Sequence, residues 1–172
     1  MAAYGGVQNA VANFFETYSS GYNAGVVLPL SPMRLQSYFV SGTGADKVDG
    51  IATLLLPLVA STPQVINLQA LTDPLGLALT VTKVRFIVIK NLSVTDGQIL
   101  VVGGAGVGEF NGFLSSGATL AVYPSSLGND GFVLFSAPSG TGYPVSGTSH
   151  LLKLDPGAFS FSAAVLIGTS SV

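Results

Sequence analysis

The sequence predicts an all-β fold, an antiparallel β-sandwich that is jelly-roll-like, with an N-terminal arm. Three observations carry this. Short runs rich in β-branched and aromatic residues recur along the chain, the clearest being LALTVTKVRFIVIKN at 77–91. The 22 glycines and 9 prolines fall mostly between those runs. No long helical periodicity separates them, so the crossover helices that a parallel sheet needs are missing.

The elements follow in chain order. Residues 1–32 are rich in Ala, Asn, Gly and Tyr and end in LPLSP, and they read as an arm that packs on something, such as a neighbouring chain. A short helix is expected there around Val7–Thr17, with Val7, Val11, Phe14 and Phe15 on one side. The sandwich domain is assigned to residues 33–172. Its first strand character is LQSYFVSG at 35–42, followed by GIATLLLPLV at 50–59, which Pro57 interrupts. QVINLQALTD at 64–73 alternates, as a half-buried strand does. After the 77–91 run, Asp96-Gly97 marks a turn before ILVVGG. The remaining strands are expected at 118–124, 131–138, 149–156 and 158–168. Asn129-Asp130-Gly131, Ser139-Gly140-Thr141-Gly142 and Asp155-Pro156-Gly157 separate them as turns.

Charge is scarce. Asp, Glu, Lys and Arg make up 8% of the chain, against about 25% in an ordinary soluble domain. The longest apolar run, Ile51–Ala60, has ten residues and includes Thr53 and Pro57. A spanning helix needs about 20, so no membrane segment is expected, and the N-terminus does not read as a secretory signal. A free monomer keeps more charge on its surface for solubility, so the composition points to a surface covered by other subunits. The plain alternative is a surface made polar by Gly, Ser and Thr. Net charge is −2 and the six basic residues form no run, so nucleic acid is not an expected partner. With no cysteine there are no disulfides and no thiolate metal sites.

The most suggestive motif is ILVVGGAGVGEF at 99–110, with four glycines in six positions. A dinucleotide fingerprint fails in every frame: from Gly104 and Gly106 the third glycine position is Glu109. A phosphate loop fails too, because Glu109 stands where the lysine should be, and a carboxylate repels phosphate. No helix can follow, since Asn111-Gly112 and Ser115-Ser116-Gly117 are turn signals. The segment reads as a flexible or tightly turned connection at one end of the sandwich. No cofactor is expected.

Other chemistry is thin. His150 is the only histidine, which excludes a multi-histidine metal site. Ser149 adjoins it and Asp155 follows, but neighbours on a strand point to opposite faces, and no G-x-S-x-G elbow is present. The aspartates Asp46, Asp49, Asp73, Asp96, Asp130 and Asp155 sit mostly beside Gly or Pro, as turn formation predicts. ADKVDG at 45–50 lacks the ligand series of a calcium loop, so no metal is expected. A hydrolase would have to use an acid pair such as Asp130 and Glu109, which nothing in the sequence singles out. Asn91-Leu92-Ser93 is a glycosylation sequon, meaningful only in a secretory setting.

The second half has a characteristic order: VRFIVIKNLSVTDGQILVVGG, a glycine loop with EFNGFL, a short strand ending in YPSS, GFVLFSAPSGTGYPVSGTSHLLKL, then AFSFSAAVLIGTS. Over roughly residues 77–172 this order resembles small virion structural proteins of tailed bacteriophages, the head-decoration or cement proteins and fibre-like β proteins. The resemblance implies a non-enzymatic β-sandwich in the virion. It would bind the major capsid protein or other virion subunits and oligomerise, often as a trimer. Its action would be adhesive, stapling neighbouring subunits together, and no catalytic residue is carried over. The interface residues expected are Phe14, Phe15, Tyr18 and Tyr22 of the arm, then Gly104, Gly106 and Phe110 of the glycine loop. The alternative function is a carbohydrate-binding, lectin-like module in which Tyr123, Tyr143, Phe110 and Phe113 stack on sugars. Against it stands the plain possibility that these rings fill the core or an interface.

Overall fold

A computed structural model describes residues 8–13, 34–42, 47–104, 106–124, 131–137 and 142–172. Strands β1 (Gln8–Asn13), β2 (Arg34–Ser41) and β3 (Lys47–Val48) form one small sheet, with β1 antiparallel and β3 parallel to β2. The segment expected as a helix around Val7–Thr17 is thus a strand over Gln8–Asn13. All six of its residues pair with β2, and a formed ladder outweighs the weak helical preference of so short a stretch.

The remaining strands are β4 (Gly50–Leu58), β5 (Gln64–Asn67), β6 (Lys83–Asn91), β7 (Leu100–Gly103), β8 (Thr119–Val122), β9 (Gly131–Ser136), β10 (Tyr143–Pro144), β11 (Leu151–Asp155) and β12 (Phe161–Ser170). Their pairing is nested. β7 pairs with β8, β6 with β9, β5 with β11 and β4 with β12, all antiparallel. This is one long hairpin whose closed end is the β7–β8 connection. Two further pairings, β6 with β12 and β7 with β11, roll that hairpin up. The result is two facing sheets, one of five strands (β4–β12–β6, with β9 and β10 sharing the far edge of β6) and one of four (β5–β11–β7–β8). That is a jelly roll, and it bears out the expected all-β sandwich.

The two sheets bury one continuous core between them. The larger sheet contributes Ala52, Leu58, Ile87, Ile89, Ala163, Val165 and Ile167, and the smaller one Ile66, Leu100, Val102, Val122, Leu152 and Leu154. Each fully buried Leu or Ile contributes roughly 2 kcal/mol of transfer free energy. Alternation along β12 and β11 follows the two-residue period of a strand. On β6 the inward positions shift from Val84 to Ile87, Ile89 and Asn91. The register explains it: Gly168 faces Phe86 while Thr169 faces Val84, so Arg85 is the extra residue of a β-bulge.

Several strands are shorter than the sequence suggests. The 64–73 run stops at Asn67, whose side chain accepts a hydrogen bond from the Gln69 amide at 2.9 Å and caps a 3-10 turn, Leu68–Ala70. The 77–91 run becomes a strand only at Lys83. Before it, the Asp73 carboxylate accepts from the amides of Leu75 and Leu77 at 2.9 and 2.8 Å and holds the chain in a turn. Among the described residues, no helix is long and apolar enough to cross a membrane.

Candidate interaction surface

The glycine loop is a built connection. The chain leaves β7 at Gly103 and returns at Glu109–Phe110 to pair with β11, where the Phe110 amide donates to the Leu151 carbonyl at 2.8 Å. The Glu109 carboxylate closes the loop, accepting from the amides of Gly104 at 2.9 Å and Gly117 at 3.2 Å. This occupies the acid that the sequence left open for hydrolysis. Gly104 has φ +113°, a left-handed conformation that side chains disfavour. Gly106 is exposed at the tip, beside a fully exposed Val107.

Phe110, expected at an interface, is 1% exposed. Its ring is enclosed by its own chain and presents no surface to a partner. Phe113 stacks on Phe135 at 4.1 Å and meets the Phe110 and Tyr143 rings edge-on. Burial pushes the Tyr143 hydroxyl above its usual pKa range. Three of the four rings considered for sugar stacking therefore interlock with one another against the core, and Tyr123 alone projects into solvent. Phe14, Phe15, Tyr18 and Tyr22 lie outside the described residues, as does Asp130.

The remaining polar groups hold the fold. Ser149 donates to the Asn111 side chain at 3.3 Å, and no hydrogen bond joins it to His150. The Asp49 carboxylate accepts from the amide and hydroxyl of Ser171. Asp155 accepts from the Gly157 amide and pairs with Lys153 at 3.4 Å. The sequon asparagine, Asn91, is fully buried; its amide donates to the carbonyls of Gln98 at 2.7 Å and Val122 at 3.0 Å, and its oxygen accepts from the Ser93 amide. Among the described residues, no group of three or more His, Asp or Glu side chains is placed to hold a metal ion.

What stands out is the outer face of the five-stranded sheet. The register sets its cross-strand rows, written from β4 through β12 and β6 to β9. One row is Ile51, Gly168, Phe86, Ser136; the next is Thr53, Leu166, Val88, Leu134; the third is Leu55, Ala164, Lys90, Phe132. An antiparallel sheet with one solvated face carries polar residues there. This one is mostly apolar on both faces, with Thr53, Lys90 and Ser136 as the polar members of these rows. Val48 of β3 covers one end, packing on Phe86 with Ile51, Val88 and Leu166 around it. Farther along, Leu55 is 70% exposed and Phe132 47% exposed.

This face was not among the surfaces expected from the sequence. Its signal was present: FIVI, FVLF and AAVLI are continuous apolar runs, whereas a sheet covered on one side only shows strict alternation. The fold and this surface define the class, a jelly-roll sandwich with one apolar outer face. Comparison with known protein families, with curated proteins and with solved structures finds no match.

Proposed function

We propose that this chain is a non-enzymatic structural protein of a virion, holding neighbouring subunits of a phage capsid lattice together through apolar contacts. The observation that carries the reading is the outer face of the five-stranded sheet, where Leu55 and Phe132 are exposed beside the half-buried Leu134, Val88 and Leu166. Exposed apolar patches of this kind mark association surfaces. The scarcity of charge across the chain supports it, as does the engagement of Glu109, Asp49, Asp73 and Asp155 in loop-closing hydrogen bonds. Jelly rolls serve in viral capsids and in lectins alike, so the fold by itself is only an analogy. The clustering of Phe110, Phe113 and Tyr143 favours the adhesive use over the sugar-binding one.

In this role the partner is the major capsid protein or another virion subunit, and affinity comes from desolvating the face on assembly. Stability then rises with assembly by mass action. The test is a mass-spectrometric inventory of purified particles of the virus whose genome encodes the chain, with antibody labelling of intact particles. Stoichiometric presence and regular surface labelling are expected. Absence from purified particles would contradict the role.

A further inference from the structure

We propose that the open edge of β4 pairs with the same edge of a second copy, antiparallel and two-fold about Thr53, so that the two five-stranded sheets join into one. The inference goes beyond the adhesive reading and does not depend on which particle carries the protein.

Among the described residues, β4 pairs with β12 on one side and with no strand on the other. Which backbone groups face that open side follows from the ladder. In an antiparallel pair, alternate residues turn both their N–H and their C=O to the same neighbour. The Leu92 amide donates to the Ser162 carbonyl at 3.0 Å, on the β6 side of β12. Ser162, Ala164 and Leu166 therefore bond toward β6, and Ala163, Val165 and Ile167 bond toward β4. Their partners on β4 are Leu56, Leu54 and Ala52. The backbone groups of Ile51, Thr53 and Leu55 are thus turned to the open edge. Pro57, which has no N–H to donate, falls in the same outward series. Sheet edges are commonly blunted by brevity, charge or bulges. Of the other edge strands, β5 and β8 have four residues each, β10 two and β9 six. β4 has nine, with no charged residue and no bulge in its pairing with β12.

A row of unpaired donors and acceptors fits one kind of occupant, another extended strand. The order of residues argues that this strand is β4 itself. The outward donors, at 51, 53 and 55, are centred on Thr53. A two-fold axis there pairs Ile51 with the partner's Leu55, Thr53 with the partner's Thr53, and Leu55 with the partner's Ile51. Every outward N–H and C=O of these three residues is matched, and Pro57 stays beyond the last bond. The side chains agree. On the outer face, Leu55, 70% exposed, lies beside the partner's Ile51, and Thr53 lies beside its own copy; both are favourable cross-strand pairs. On the inner face, half-buried Leu54 lies beside the partner's Ala52 and half-buried Leu56 beside the partner's Gly50, large against small. No charge enters the contact. Lys90 lies two strands in from the edge, and each Asp49 falls opposite the partner's Pro57, roughly 27 Å from the other Asp49. An isologous interface requires such self-complementarity. A contact one strand wide is small, so the pairing is weak, with a dissociation constant on the order of 10 µM.

The test uses the full chain, with mass read by sedimentation from about 5 to about 500 µM. At about 100 µM, about four-fifths of wild-type chains are expected in dimers. Thr53→Pro removes the central outward N–H and breaks no bond to β12, while Thr53→Lys sets two like charges side by side. Each is expected to dimerise at least about 30-fold more weakly. Thr119→Lys, at an exposed position on the β8 edge, is expected to keep the wild-type mass. In hydrogen-exchange mass spectrometry, the outward amides of residues 51–55 are expected to exchange about fivefold more slowly at about 500 µM than at about 5 µM, which side-chain packing alone does not produce. A wild type that stays monomeric, a mass that climbs past two copies, unchanged exchange, Thr53 variants that associate like the wild type, or a Thr119→Lys chain that loses association would each overturn the proposal. If the melting curve of Thr53→Pro shows that it does not fold, Thr53→Lys carries the comparison. A dimeric chain absent from particles would keep this inference and remove the virion role; a monomeric chain abundant in particles would do the reverse.

Discussion

The outer face of the four-stranded sheet mixes the Lys153–Asp155 ion pair, Asn67 and Thr119 with Val65, Val101, Ala121 and Leu151. The outer face of the five-stranded sheet places Leu55, Phe132, Leu134, Val88 and Leu166 in the equivalent position. Both sheets bury the same kind of inner face against one core. Folding needs only those inner faces. Beyond the end that Val48 covers, exposed apolar side chains such as Leu55 and Phe132 add little to folding and make free subunits prone to aggregate, so they point to a use outside the monomer. The comparison therefore separates two roles: the interior holds the fold, and one exterior face is the surface proposed for assembly.

The largest effect is expected where both sheets meet. Asn91 ties β6 to the carbonyls of Gln98 and Val122, and replacing it by leucine strands these buried groups. Asn91→Leu should cost about 3 kcal/mol, read as a lower urea midpoint at every protein concentration. Next comes the packed end of the apolar face. A methyl group on Gly168 would overlap the Phe86 ring, so Gly168→Ala should cost about 2 kcal/mol. Phe86→Leu in the same chain should recover part of that loss, and a double-mutant cycle in thermal melts measures the coupling.

How much of this could be read from the sequence depended on the kind of signal. Strand existence was legible because β-branched runs and Gly, Pro and Asp turns are local, and the sandwich class followed from them. The expected strand ends failed where side chains cap the backbone, at Asn67 and Asp73, since a cap depends on a fold already made. The glycine loop was correctly read as a tight connection, but Phe110 was placed outside when its pairing with Leu151 turns the ring inward. The apolar face was written in FVLF and AAVLI, yet only the register of β9, β6, β12 and β4 brings those residues into one surface. The arm aromatics of residues 14–22 lie outside the described residues.

The smaller effects distinguish the two outer faces. Leu55→Asp should leave monomer stability within about 0.5 kcal/mol, because the side chain is already exposed, and should act on association alone. Lys153→Ala removes a half-exposed ion pair and should change stability by about 0.5 kcal/mol or less, with no change in mass. Chemical denaturation of dilute samples gives the first quantity, and sedimentation of concentrated samples gives the second.

The most direct test compares equal insults to the two faces. Leu55 and Val65 are both exposed aliphatic residues on β-strands, one on each sheet. Light scattering after size exclusion, at several concentrations, would follow the wild type, Leu55→Asp and Val65→Asp. A discrete oligomer for the wild type and Val65→Asp, with a monomer for Leu55→Asp, is the predicted result. Equal masses for all three would contradict the assignment of assembly to the five-stranded sheet.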